Sequence, residues 1–412
     1  MHSLKSLIYI ISRFVTILIR KVSDKQNIHR QLRKYNNYLN TINQLPAPEV
    51  NPGKLLIIRL DGIGDYLLFR NFLALYQSSP KWKNYHITLL GEQSWKNFYD
   101  TFDSDSTDET IWINKHKYLN DESYRNEVYS LLRQKGFEVV ICPCRTRPFL
   151  LDDLLVKATG AFKIFGVKNT YKHVKWNRLS NAIYPRLFEY SEQPHEFFFN
   201  ERFHNWISGD NAHYKRPFIE KETNTPSKEN YFLLFIGAAA KSRKWPAEYW
   251  IQLIRLIQQN YSIDIVVAGD KNDIEAANQI KAATNARIIV GETSLKTIAL
   301  YVKNATAIIT NHTMLAHLAV CYGKPVVIIS NGDNYYRYTM YNEAGIHNVK
   351  IVYSPLFNKW LKKNKPAPLF KEFVAVTKDI TTIDPATVFR ELNNIFFLLH
   401  SDRYNLSQHS VN

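Results

Sequence analysis

Cysteine is scarce in this chain, which has only Cys142, Cys144 and Cys321 among 412 residues. So odd and sparse a set leaves no second pair to complete a zinc site or a disulfide framework. The pattern therefore predicts a protein of a reducing compartment, with all three thiols acting as small buried hydrophobic groups.

A run long enough to span a membrane is also missing. No segment reaches the roughly 20 apolar residues that a spanning helix needs, and no secretory cleavage site follows the apolar run near the N-terminus. That run, residues 4–21, is interrupted by Arg13 and flanked by lysine and arginine. Its composition is typical of an amphipathic helix in a membrane interface, although a helix packed on the protein surface or on a partner fits as well. We therefore expect a cytoplasmic protein, peripheral on the cytoplasmic face of the inner membrane.

Acidic residues are few relative to basic ones, at 37 against 53, which gives a formal net charge of +16. This charge calls for an anionic partner such as nucleic acid, an anionic membrane or a phosphorylated substrate. Because no nucleic-acid-binding motif accompanies it, we expect no nucleic-acid partner. Apolar residues make up 45% of the chain and aromatic residues 14%, enough to bury two domain cores.

Two successive series of strand and helix patterns predict an α/β protein with two parallel, doubly wound sheets that leave a cleft between them. The predicted strands are 55–59, 86–90, 110–113, 137–142 and 163–165, then 231–236, 264–268, 287–289, 307–310 and 326–329. The predicted helices are 65–76, 95–102 and 122–134, then 247–259, 272–283, 295–302, 313–322 and 385–400. The basic, aromatic stretch 166–190 is predicted to be irregular.

These patterns divide the chain into four parts. Residues 1–50 form a basic amphipathic segment and linker, and 51–225 form a first Rossmann-like domain. A polar stretch at 221–229 predicts the linker to a second such domain, 226–384, and 385–412 form a C-terminal helix and tail.

The segment 54–76, KLLIIRLDGIGDYLLFRNFLALY, predicts a buried strand, a tight turn and a helix. Asp65 thereby lies at a strand-to-helix corner, where doubly wound folds bind their ligands. Gly62 and Gly64 let the backbone approach a ligand closely. The alternative is that both glycines serve only the turn while Asp65 caps the helix.

Three loops of the second series carry further candidates. Lys241, Arg243 and Lys244 precede a helix that begins near Pro246, which suits a phosphate group, although a solvated basic loop is the alternative. In the next loop, VAGDKNDIE, Asp270, Asp273 or Glu275 could hold a pair of ribose hydroxyls, although helix capping explains them as well.

The third loop brings Asn311, His312 and Thr313 to the start of a short helix, whose N-terminus can receive an anion. His312 and His317 are five residues apart and do not form a metal pair on a helix. His317 could equally be a core histidine. The acidic loop from Asp103, DSDSTDE, is predicted to be solvated.

Four stretches together resemble the heptosyltransferase-like glycosyltransferases, the family of lipopolysaccharide ADP-heptose transferases. They are RLDGIGDYLL, GAAAKSRKWPAEYW, VVAGDKND and GETSLKTIALYVKNATAIITNHTMLAHLAVCYGKPVV. The resemblance covers roughly residues 54–337 and implies a GT-B fold, with the acceptor bound mainly by the first Rossmann-like domain and the nucleotide sugar by the second. It also implies an inverting, metal-independent transfer that needs no cofactor besides the nucleotide-diphosphate sugar.

The resemblance assigns the catalytic carboxylate to Asp65 in the Gly-Asp turn. The family's phosphate-binding lysine corresponds to Arg243, which has Lys241 and Lys244 beside it. The donor site implied in this way comprises Lys241, Arg243, Lys244, Asp273, His312, Thr313, Met314 and His317, with Gly62 and Gly64 in the turn on the acceptor side.

The chain departs from the family's Asp-(Ser/Thr)-Gly-x-x-His signature, because His312 stands at the aspartate and Met314 at the glycine. We expect the first change to reverse the charge preference there and the second to add bulk beside the phosphates. The stretch NGDNYYRYTMY that follows the next strand also departs from the family pattern.

The leading hypothesis is therefore a sugar transferase with a glycolipid or surface-glycan acceptor, acting at the inner-membrane surface in lipopolysaccharide-type biosynthesis. The alternative is an inactive relative that binds only a nucleotide or a glycan.

Overall fold

The computed structural model describes residues 27–169, 174–190, 194–220, 230–342, 345–363 and 379–408. The amphipathic helix predicted at 4–21 and the linker predicted at 221–229 lie outside these ranges. No helix within them is long and apolar enough to cross a membrane.

The helices are numbered here along the chain. They are α1 (27–43), α2 (Ile63–Leu67), α3 (Arg70–Ser78), α4 (Lys96–Phe102), α5 (Lys115–Asn120), α6 (Glu122–Lys135), α7 (Asp152–Thr159), α8 (Val174–Asn181), α9 (Glu196–Ser208), α10 (Ala247–Asn260), α11 (Ile274–Ala283), α12 (Leu295–Asn304), α13 (Met314–Cys321), α14 (Tyr335–Tyr338), α15 (Pro355–Lys363) and α16 (Pro385–Gln408).

The strands form two parallel sheets, as predicted, but each sheet has six strands where five were predicted. The first, in the order β3-β2-β1-β4-β5-β6, contains β1 (Asn51–Arg59), β2 (His86–Glu92), β3 (Glu109–Ile113), β4 (Phe137–Cys142), β5 (Lys163–Val167) and β6 (Arg186–Phe188). The second, in the order β12-β11-β10-β7-β8-β9, contains β7 (Tyr231–Phe235), β8 (Asp264–Ala268), β9 (Arg287–Ile288), β10 (Ala307–Asn311), β11 (Val326–Ser330) and β12 (Val349–Tyr353).

Contacts between residues group the chain into two compact units. The first unit comprises the described residues of Met1–Leu60, Tyr85–Gly91 and Glu109–Glu189, and the second those of Asp61–Asn84, Glu92–Asp108 and Tyr190–Asn412. Helices α2, α3 and α4 therefore belong to the second unit although they follow strands of the first sheet. The domain boundaries and the cleft expected from the sequence stay predictions.

Each sheet contains strands with continuous buried runs. In β1 the run from Leu55 to Ile58 has no exposed surface, and β11 is buried throughout. Covering both faces of a parallel sheet with helices explains why these strands are continuous apolar runs. Each leucine or isoleucine buried in this way contributes about 1.5–3 kcal/mol.

Several elements differ from the predictions. The predicted helix at 65–76 is interrupted at Leu68 and Phe69, which separate α2 from α3. The prediction that 166–190 is irregular is wrong for the described part, where α8 and β6 lie. These short elements pack on the first unit's core through few apolar residues, Leu179 and Trp176 in α8 and Leu187 in β6. The predicted C-terminal helix is confirmed as α16.

Candidate functional site

The predicted catalytic carboxylate, Asp65, lies in the first turn of α2, a helix whose N-cap is Gly62. Its Oδ1 accepts a hydrogen bond from Arg337 Nη2 at 3.0 Å and another from the hydroxyl of Tyr338. Both donors belong to α14, about 270 residues further along the chain. Helix capping alone therefore does not account for Asp65.

Arg337 joins Asp65 to a second carboxylate, that of Glu196. Its Nε lies 2.8 Å from Glu196 Oε2 and its Nη2 lies 3.2 Å from Oε1, which is a two-point contact. Glu196 lies in the first turn of α9, and its side chain has no exposed surface. Burial opposes the charge of Arg337, but the charges of Glu196, Tyr338 and Asp65 raise its pKa well above the ordinary value.

The sequence did not identify Glu196, Arg337 or Tyr338 as site residues. The only signal was that NGDNYYRYTMY, which contains Arg337 and Tyr338, departs from the family pattern. Glu196 had none, because it lies in an aromatic-rich helix that the sequence analysis did not predict.

The turn of α2 is stabilised by a buried ion pair between Arg70 and Asp103. Asp103 accepts a hydrogen bond from the hydroxyl of Tyr66 at 2.7 Å and a two-point contact from Arg70. Tyr66 also stacks on Trp95, with ring centroids 4.1 Å apart. The prediction that the acidic loop is solvated is wrong for Asp103, which is 3% exposed, because Arg70 and Tyr66 satisfy its charge inside the protein.

Helix α13 packs against the same turn. A Cβ atom placed on Gly64 would lie 3.1 Å from His317 Cδ2 and 3.7 Å from Met314 Cα. The glycine therefore lets the backbone of α2 approach α13 closely, which no larger residue permits without a shift.

Two histidines of this region are buried and neutral. Burial lowers the pKa of His317 to about 4, against an opposing effect of Asp65 and Glu196, and its Nδ1 faces the hydroxyl of Tyr341. Burial, followed by the charges of His317 and Arg243, lowers the pKa of His312 well below 6.5. At His312 a neutral imidazole thus stands where the family signature has a carboxylate, and the expected effect on donor binding stays a prediction.

The start of α13 is arranged as predicted. Thr313 is the N-cap, and its hydroxyl accepts a hydrogen bond from Leu315 N at 3.2 Å. The buried Asn311 donates from Nδ2 to Ile236 O at 2.7 Å, and its Oδ1 accepts from Trp245 N at 3.3 Å. These bonds tie the end of β10 to the loop that carries the predicted cations.

The three predicted cations occupy different surroundings. Arg243 lies next to the start of α13, with Nη1 at 3.5 Å from His312 O. Lys244 instead forms an ion pair with Asp273, whose carboxylate is 4% exposed and also accepts from Asp270 N. Lys241 is exposed. Lys244 and Asp273 thus stabilise each other, and their roles in donor binding stay predictions.

The described part of the second unit therefore brings together most of the predicted residues. Asp65, His312 and His317 converge around Tyr338, whose ring centroid is 6.2 Å from that of His312 and 5.7 Å from that of His317. Arg243 adjoins this group through His312.

The three cysteines are buried thiols, as predicted. In the first unit the ligand atoms of Cys142, Cys144 and Asp152 lie within 4.8 Å of one another. They belong to a different unit from Asp65.

The family described as "Glycosyltransferase family 9 (heptosyltransferase)" matches residues 207–354. This segment includes the basic loop, α13 and α14, whereas Asp65 and Glu196 lie outside it. The lipopolysaccharide heptosyltransferase 2 of Salmonella typhimurium is 32% identical over 95 residues, and that of Escherichia coli K12 has the same identity. The match covers 21% of this chain and only 27% of either relative.

Solved structures resemble the chain over a longer range. A glycosyl transferase family 9 protein from Veillonella parvula has a TM-score of 0.65 at 17% identity, covering 85% of this chain and 99% of its own. E. coli heptosyltransferase WaaC with ADP has a TM-score of 0.61 at 15% identity, covering 83% and 99%. At these identities the likeness concerns the fold, and it confirms the predicted GT-B class of two Rossmann-like sheets.

The predicted resemblance to the heptosyltransferase-like glycosyltransferases is thus confirmed, by the family match in residues 207–354 and by a shared fold over most of the chain.

Proposed function

We propose that this protein is an inverting, metal-independent glycosyltransferase. It moves a sugar from a nucleotide-diphosphate donor to a glycolipid or surface-glycan acceptor of the lipopolysaccharide type. The observation that carries the proposal is the position of Asp65, whose carboxylate lies in a polar cluster against α13, the helix that begins beside Arg243.

The proposed reaction has one proton transfer and one displacement. The acceptor hydroxyl oxygen attacks the anomeric carbon while the bond from that carbon to the diphosphate oxygen breaks, and its electron pair stays on the diphosphate. Asp65 takes the proton of the attacking hydroxyl as general base. A base on the face opposite the leaving group gives inversion at the anomeric carbon.

Charge that develops on the leaving diphosphate needs fixed positive groups nearby. Arg243 and the amide groups at the start of α13, next to Thr313, are the proposed partners, with Lys241 as an exposed additional cation. Because Lys244 forms an ion pair with Asp273, it is less available to bind the diphosphate. Neutral His312 adds no charge and can exchange a hydrogen bond with a hydroxyl group of the donor.

Adenosine diphosphate is the first nucleotide to test, because the similar E. coli WaaC structure contains ADP. The presence of His312 and Met314 in the altered signature gives a second candidate function, binding of a nucleotide sugar without transfer. The two functions differ in one observable, the release of nucleoside diphosphate.

The test compares wild type with Asp65→Asn on ADP-, UDP-, GDP- and dTDP-sugars, with detergent extracts of bacterial membranes as acceptor. Wild type should release nucleoside diphosphate from one donor class, and Asp65→Asn should release it at least about 100-fold more slowly. Asp100→Asn, a change in an exposed carboxylate paired with Lys96, is the matched control and should retain wild-type activity. Binding without release in wild type would favour the second function, and full activity in Asp65→Asn would exclude Asp65 as the base.

We also propose attachment to the cytoplasmic face of the inner membrane, supported by the net charge of +16 and the basic, apolar residues 4–21. Removing residues 1–25 should move the protein from the membrane pellet to the supernatant. Pelleting that is unchanged by the removal would argue against this role.

A further inference from the structure

We propose that Arg337 is a positioning residue for the Asp65 carboxylate, that Glu196 anchors Arg337, and that Tyr338 provides a second contact to the same oxygen. The catalytic part of this inference rests on the proposed function, in which Asp65 is the base. Its structural part, the orientation of the carboxylate, does not.

The anchor is the two-point contact between Glu196 and Arg337. Two parallel hydrogen bonds fix the plane of a guanidinium group far better than one contact does. Glu196 is fully buried, whereas the side chains of Asp65 and Arg337 are 17% and 15% exposed. The exposed end of the array is thus the carboxylate that must meet a substrate, and the buried end is the anchor.

The chain between β11 and α14 is shaped to present Arg337. Gly332 has φ of 90°, and a Cβ atom there would lie 2.6 Å from the ring of Phe357. Asn334, directly before α14, has φ of 56°, a left-handed conformation that few side chains other than asparagine tolerate. These two left-handed residues, five and three positions before Arg337, set the direction in which the Arg337–Tyr338 pair leaves the strand.

The same connection reaches the cationic loop. Asn331 Nδ2 donates to Ser242 O at 3.0 Å, between the two predicted phosphate-binding cations Lys241 and Arg243. The segment that orients Asp65 is therefore bonded to the loop proposed to hold the diphosphate. One short segment, residues 331–338, therefore links the orientation of Asp65 to the position of the proposed donor site.

Arg337 Nη2 and the hydroxyl of Tyr338 both donate hydrogen bonds to Oδ1 of Asp65. Two donors on one oxygen restrict rotation of the carboxylate about its own axis. Since a general base must lie within about 2.6–3.2 Å of the oxygen whose proton it takes, loss of this restriction should lower kcat more than it raises KM.

The experiment measures kcat and KM of the full-length chain for ADP-heptose, or for the donor that the screen above identifies, and solves the crystal structure of each variant. Glu196→Gln and Arg337→Lys should each lower kcat by about 10- to 100-fold with KM for the donor within about threefold of wild type. Tyr338→Phe should lower kcat by less, about threefold to tenfold. Tyr336→Phe, which removes the neighbouring hydroxyl of α14, is the matched control and should keep wild-type kcat.

A double variant distinguishes loss of this array from misfolding. Arg337→Gln alone leaves the buried Glu196 carboxylate without this partner, whereas Glu196→Gln with Arg337→Gln forms a neutral pair. The double variant should fold and should be no slower than the slower single variant, because both changes break one array.

The outcomes separate this inference from the proposed function. Wild-type kcat in Glu196→Gln and Arg337→Lys, or an Asp65 carboxylate that keeps its orientation in their crystal structures, would overturn the positioning role. If no donor supports release by wild type, the proposed function fails, and the crystal structures alone decide whether Arg337 and Glu196 orient Asp65.

Discussion

Gly64 and His317 lie in closer contact than a side chain at residue 64 would allow, since an added Cβ atom would be 3.1 Å from His317 Cδ2. The imidazole cannot easily give way, because it is buried and faces the hydroxyl of Tyr341. Gly64→Ala gains up to about 1 kcal/mol of helix propensity but overpacks this contact at a cost of about 1–3 kcal/mol. We expect a net loss of about 1 kcal/mol in the free energy of unfolding, measured with urea.

Gly62→Ala is the control for that change. A Cβ atom placed on Gly62 would lie an ordinary 3.9 Å from Asp65 Oδ2, and the backbone φ of −74° suits any residue. We expect the free energy of unfolding to stay within about 0.5 kcal/mol of wild type. Equal effects of the two substitutions would contradict the close packing of α2 on α13.

The buried pair of Arg70 and Asp103 should be essential for stability. Asp103→Asn leaves the guanidinium of Arg70, which is 5% exposed, without its carboxylate partner. A buried charge that loses its partner costs about 3–5 kcal/mol, so the urea midpoint should fall markedly. Asp100→Asn breaks an exposed pair with Lys96 and should cost no more than about 0.5 kcal/mol. Similar midpoints for the two variants would contradict the buried role of Asp103.

The two lysines of the basic loop should behave differently when removed. Lys244→Ala leaves the buried carboxylate of Asp273 with the Asp270 amide but without its cation, and should lower the free energy of unfolding by about 2 kcal/mol. Lys241→Ala removes an exposed cation and should change it by less than about 0.5 kcal/mol. If Lys241 contacts the diphosphate, the same variant should bind ADP more weakly in calorimetry. Loss of stability in Lys241→Ala, or none in Lys244→Ala, would reverse this assignment.

Buried His317 should make stability depend on pH. Its pKa is about 4 in the folded protein and about 6.5 when unfolded, so between these values the unfolded chain binds a proton that the folded protein does not. Stability from this group is therefore complete above pH 6.5 and falls as pH drops towards 4, by about 3 kcal/mol. Urea titrations at several pH values should show a shallower decline in His317→Gln.

Other ionisable groups face the same position and remain in the variant. Asp65 and Glu196 act on His317 in the opposite sense to burial, and the pKa of His312 is lowered in the same sense. The wild type should therefore be compared with His317→Gln by difference, with His116→Gln as a control at an exposed histidine. A difference between wild type and His317→Gln that does not vary with pH would contradict the prediction.

The sequence was sufficient to predict five of the six strands in each sheet, because these strands are apolar runs separated by amphipathic helices. It was less informative for elements that bury little, such as β6, or that are aromatic on several faces, such as α9 with its three consecutive phenylalanines. In neither case do the apolar residues recur with the clear helical or strand period that a sequence-based prediction needs.

The site was predicted only in part. Asp65 and Thr313 lie in turns whose glycine, hydroxyl and cap residues are visible in the sequence. Asp65, Glu196 and Arg337 meet because three distant segments pack together, and no spacing along the chain indicates that they do. His312 shows a second limit, since the burial that lowers the pKa of its imidazole exists only in the folded protein.

Helices α2, α3 and α4 pack in the compact unit built around the second sheet, although the chain reaches them before completing the first. Replacing everything after residue 225 with the matching part of a relative should therefore not transfer that relative's preference for a nucleotide-sugar donor. Such a hybrid would pair a foreign α13 with a resident α2, and the fit of Gly64 to His317 would have to be inherited with it.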